Sequence, residues 1–109
     1  MSSIDFPEVF AGLKNEVTQL IRDQMNDYVN DASKAGMKFI DSIKSDLARW
    51  TQLVAEGKMD EDELQLLLKG KRDLLIMDQL LQKGLAQIRY DEFREKLFGL
   101  VLKAVTGIK

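Results

Sequence analysis

The chain contains no cysteine, no histidine and only one proline, Pro7. Without cysteine there is no disulfide framework, no thiolate nucleophile and no thiolate metal site, and a cytoplasmic setting is favoured. Without histidine the usual zinc sites, histidine-ligated haem and the Glu-x-x-His pairs of a ferritin-like di-iron bundle are excluded. Acid–base and nucleophilic chemistry would fall to carboxylates, lysines and hydroxyls alone. No glycine-rich phosphate loop takes their place, because Gly70-Lys71-Arg72 lacks the upstream glycine and the following hydroxyl. These absences predict a protein that is not an enzyme, with no catalytic residue, no metal ligand and no cofactor.

Charge of one sign is also scarce. A formal net charge of −2 gives no field that would gather a polyanion, so nucleic-acid binding is not expected. A membrane surface is not excluded by so small a charge. The longest nearly apolar stretch, Leu97 to Ile108, is interrupted by Lys103 and falls short of the roughly 20 residues needed to span a bilayer. No transmembrane segment is expected, and the polar run Met1 to Asp5 does not read as a secretory signal.

What is present points to helices. With 109 residues, 45% of them hydrophobic and 31% charged, the chain reads as a single helical domain over 1–109 with one modest core. Asp5 and Glu8 have the spacing of a capping box, with Ile4 and Val9 as its staple and Pro7 in the first turn, where proline costs no hydrogen bond. From there apolar residues recur every eleven positions. One register runs through Phe6, Val17, Tyr28, Phe39 and Trp50, and a second through Phe10, Ile21, Ala32, Ile43 and Val54.

Eleven residues in three turns is close to the pitch of a straight helix, so both registers stay on one face. The pattern predicts one helix over about 6–55, roughly 75 Å long at 1.5 Å per residue. The segment Asn26 to Gly36, rich in Asn, Asp, Ser and Gly, is its weak part and offers a break near 31–36. A turn at Glu56-Gly57-Lys58-Met59 precedes a second capping box, Asp60 and Glu63, and the acidic run Asp60 to Glu63 suits the positive end of a helix better than a calcium loop. The second helix is expected over about 60–106, or with a break near 84.

That helix carries two apolar faces. Leu64, Leu75, Ala86, Leu97 and Ile108 form an eleven-residue register, and Leu66, Gly70, Leu74, Met77, Leu81, Gly84, Leu85 and Ile88 form a stripe roughly 140° away. An antiparallel hairpin of two long helices cannot bury both. The expectation is therefore all-α: a four-helix bundle made either by folding back at Gly36 and Gly84 or by self-association, with a homodimer favoured and the second stripe as the helix-interaction surface. Gly70 and Gly84 allow close approach of a neighbouring helix, or Gly84 simply ends its own. Trp50, Tyr28, the phenylalanines, Met25 and Met77 lie on apolar stripes and read as core. Lys69, Lys71 and Arg72 read as a solvated face.

Two function classes follow. The first is a non-enzymatic interaction or structural module that self-associates or binds a partner helix. The second is a peripheral lipid-binding protein. In the first helix Asp5, Glu8, Glu16, Asp23, Asp27 and Asp41 gather near the centre of the polar face, with Arg22, Lys38 and Arg49 nearer its margins. That distribution, over about half the chain, resembles the lipid-binding helices of exchangeable apolipoproteins, where basic side chains snorkel at the boundary. The resemblance implies a bundle that opens onto a lipid surface.

Overall fold

A computed structural model describes residues 5–107, and the expectations placed on Ile4 and Ile108 fall outside them. The described chain is all-α. Six α-helices follow one another: α1 (Phe6–Gln24), α2 (Val29–Ser42), α3 (Lys44–Ala55), α4 (Glu61–Lys69), α5 (Gln79–Gln82) and α6 (Gln87–Thr106). Short 3-10 turns occupy Asn26–Tyr28 and Arg72–Ile76.

They form four limbs that run up and down. Lys14 at mid-α1 meets Asp41 near the end of α2, Lys71 after α4 meets Asp46 at the start of α3, and Tyr90 in α6 meets Asp78 before α5. Those pairings make α1, α2 with α3, α4 with α5, and α6 successively antiparallel. The fourth limb returns to the first, for α1 and α6 share the most extensive helix–helix packing.

A straight 75 Å helix over 6–55 is corrected. The described residues extend only 47 Å along their longest axis, and the limb breaks twice. Met25 leaves helical geometry (φ −131°, ψ 37°), and Asn26 and Asp27, poor helix formers, fill the 3-10 turn that reverses the chain. Ile43 bends the second limb more gently. There the Ser42 hydroxyl donates to the Phe39 carbonyl (2.6 Å), the same carbonyl that accepts the Ile43 N–H (3.2 Å), and such back-bonding loosens a helix. The segment 31–36, offered as the breaking point, is helical and lies inside α2. Its Gly36 is buried where α2 approaches both neighbours: an added Cβ would lie 3.5 Å from Ile21 and 3.9 Å from Phe93.

The eleven-residue registers nonetheless mark the core. Phe10, Ile21, Ala32, Ile43 and Val54 are all buried, as are Val17, Phe39 and Trp50, while Phe6 and Tyr28 pack against them half-buried. Each limb turns the same stripe inward, so the phase survives the fold-back.

The second half also departs from one helix over 60–106. The hairpin at Gly57 forms, closed by bonds from the N–H groups of Gly57 and Lys58 to the carbonyls of Val54 and Leu53. Asp60 then caps α4 and makes both bonds of a capping box with Glu63. After Lys69 the helix stops, and Lys71 adopts extended geometry (ψ 127°) with its ammonium 2.6 Å from Asp46. Gly84 sits at φ +98°, and its N–H and that of Leu85 reach back to Leu81 and Leu80. Gly84 therefore ends a helix, as Gly57 does, and a side chain there would cost roughly 1–2 kcal/mol in left-handed backbone. Buried Leu80 and Leu85 close the motif.

Candidate interaction surface

The predicted stripe does not remain one face once its helix is divided. Met77 and Leu85 enter the core, and Leu74 and Leu81 pack against it half-buried. Leu66 and Ile88 stay outside, each 73% exposed. Gly70 caps α4 with only the carbonyls of its own helix nearby, and Gly84 approaches the Tyr28 hydroxyl alone. Neither glycine marks a close crossing of two helices. The companion register is divided too: Leu64 and Leu97 are buried, whereas Leu75 is 67% exposed and Ala86 faces outward.

What survives as apolar surface is Leu66 and Leu67 on α4, Leu75 in the following 3-10 turn, and Ile88 at the start of α6. Large apolar side chains left outside a finished core are surface that association could bury.

A second feature was not foreseen from the sequence. An open groove of about 440 Å³ lies between α1 and α6, walled by Glu16, Leu20 and Asp23 on one side and Lys96, Gly99 and Leu100 on the other. Gly99 lies within α6, exposed, with nothing within 4 Å of where a Cβ would be. Glycine inside a helix costs roughly 1 kcal/mol against alanine, and here no turn or buried approach requires it. An unforced glycine on a solvated helical face was the available signal.

Ion pairs and hydrogen bonds position these walls. Arg89 near the start of α6 donates to both carboxylate oxygens of Asp27 (2.8 and 2.7 Å) and to the Gln24 carbonyl at the end of α1 (3.2 Å). One guanidinium thus ties the α1–α2 reversal to α6 and satisfies an open helix-end carbonyl. The Arg89 bond holds the Asp27 carboxyl below its ordinary pKa. At the middle of the bundle Lys71, accepted by Asp46, lowers the pKa of that carboxyl.

Tyr90 is buried and donates its phenol to Asp78 (2.5 Å), which joins α6 to the start of α5. Burial first, then that hydrogen bond, push the phenol well above its usual range. Between the ordinary phenol value near 10 and the raised folded value, the unfolded chain gives up its proton while the folded chain keeps it, so stability falls as pH rises. Tyr90→Phe is expected to cost about 1 kcal/mol at pH 7, and its disadvantage relative to the native chain shrinks above about pH 10. Urea unfolding of both chains at pH 7, 9 and 10.5 checks this, and a difference that stays constant across those values contradicts it.

Among the described residues no helix is long and apolar enough to cross a membrane. No protein-family model, curated protein or solved structure matches this chain.

Proposed function

We propose that the protein is a non-enzymatic helical interaction module that self-associates, with a dimer favoured, or receives a partner helix. The observation that carries the reading is the apolar surface remaining after the core is complete: Leu66, Leu75 and Ile88, each about two-thirds exposed or more. Lys14 with Asp41, Lys71 with Asp46, Arg89 with Asp27, and Asp60 with Glu63 are engaged in ion pairs and a helix cap that the fold itself uses, which supports a structural over a catalytic role. The absence of cysteine favours the cytoplasm as the setting.

Lipid binding ranks behind association. The stripe that would settle on lipid includes Phe10, Ile21, Ala32, Ile43 and Val54, and all five are buried. Their exposure requires opening of the whole core.

Met77, buried at 0% exposure, is no place to test the interface, because a charge there would act on the core. The test is the triple variant Leu66→Lys, Leu75→Lys and Ile88→Lys, made at positions that solvent already reaches. Its helix content and melting temperature are expected to stay close to those of the native chain, while its mass by light scattering falls to that of one chain. An undiminished assembly in the triple variant contradicts the reading.

A further inference from the structure

The outward face of α6 carries an ordered set of side chains. Ile88, Glu92, Lys96, Gly99 and Lys103 are all exposed, and they are spaced four, four, three and four residues apart on one continuous helix. At 100° per residue they fall within about 80° of one another, a single stripe. Its charges are ordered, with the acidic residue toward the N-terminal end and the second lysine toward the C-terminal end. Gly99 interrupts the stripe beside the α1–α6 groove, whose opposite wall carries Glu16 and Asp23.

We propose that this face binds a second copy of the chain across a two-fold axis passing between residues 97 and 98. In that register Glu92 lies opposite Lys103 of the second copy, and the reverse pair forms by symmetry, as an isologous interface requires. Lys96 lies opposite Gly99 of the second copy. The missing side chain there admits the lysine stem into the groove, where Leu20 and Leu100 cover its methylenes and the carboxylates of Glu16 and Asp23 flank its ammonium. Ile88 meets the far end of the opposing helix near Gly107. Residues that look unrelated on one chain, an idle glycine, a groove with an acidic wall and a lysine at its edge, become complementary when the chain is duplicated.

This inference rests on the self-association proposed above and places it on α6, the element that carries Ile88 of the three exposed residues. The test is the solution mass and dimer dissociation constant of charge variants, with circular dichroism to establish that each is folded. Lys96→Glu, which puts carboxylates in place of both the incoming lysine and the lysine on the groove's own wall beside Glu16 and Asp23, is expected to weaken the dimer at least about tenfold. Gly99→Leu, which fills the lysine's entry, is expected to do the same. Glu92→Lys and Lys103→Glu each weaken it, and the two together in one chain restore it, because the exchanged charges still oppose across the axis. A dimer indifferent to Lys96→Glu and Gly99→Leu, or a double exchange no tighter than either single one, overturns this register. The Leu66, Leu75 and Ile88 triple variant separates the two ideas: if it is monomeric while the charge variants are silent, self-association stands and the α6 register falls. A native chain that is monomeric throughout overturns the register and leaves only the partner-helix form of the broader reading.

Discussion

Replacing Phe39 by alanine is expected to remove about 3–5 kcal/mol of folding stability. The ring is fully buried in α2, which packs against α1, the 3-10 turn at Arg72–Ile76 and α5, so truncation leaves a cavity among several elements. Domains of this kind have about 5–15 kcal/mol in total, so the variant loses about a fifth of its stability or more. The informative control is Phe6→Ala. Both residues belong to one eleven-residue register, but Phe6 is only half-buried at the start of α1. In a straight helix with a uniform stripe the two truncations would cost similar amounts. In the folded-back bundle Phe39→Ala is expected to cost at least twice as much, and urea unfolding followed by circular dichroism measures both.

Gly36 gives the second large effect, and its sign depends on the substituent. Alanine at this position places its methyl group at ordinary contact distance, 3.5 to 3.9 Å from Ile21, Val17 and Phe93. The residue is helical, so Gly36→Ala is expected to be neutral or to stabilise by up to about 1 kcal/mol, from reduced backbone freedom of the unfolded chain. Gly36→Leu has no such room. It must push α2 away from α1 and α6, at a cost of about 1–3 kcal/mol or more. Thermal unfolding of the pair decides the matter, and a destabilised alanine variant would contradict the room for a methyl group beside Ile21, Val17 and Phe93.

Apolar periodicity reports which side chains face the core, and it did so at all ten positions of the first two registers. It says nothing about whether the chain carrying them is straight. A chain that reverses at Met25–Tyr28 and buries Ala32 eleven positions after Ile21 keeps the same phase as an unbroken helix. Caps and turns were legible for a different reason: Asp60 with Glu63, Gly57 and Gly84 act within a few residues, and their geometry depends on local chemistry.

The stripe from Leu66 to Ile88 failed as a single face because distant residues divide it. Lys71 leaves the helix to reach Asp46, 25 positions away, and the limb continues as a 3-10 turn that rotates Leu75 outward and Met77 inward. Arg89 similarly reaches Asp27 across 62 positions. Pairings of that length carry no periodic signature. The α1–α6 groove was missed for the same reason, since its walls come from opposite ends of the chain. Gly99 alone hinted at it.

Self-association is read most directly from the solution mass of the native chain by light scattering after size exclusion, over a range of concentrations. One chain weighs 12.5 kDa. A species of twice that mass is expected, populated increasingly as concentration rises and lost in the Lys96→Glu variant. A mass of one chain at every concentration would contradict self-association.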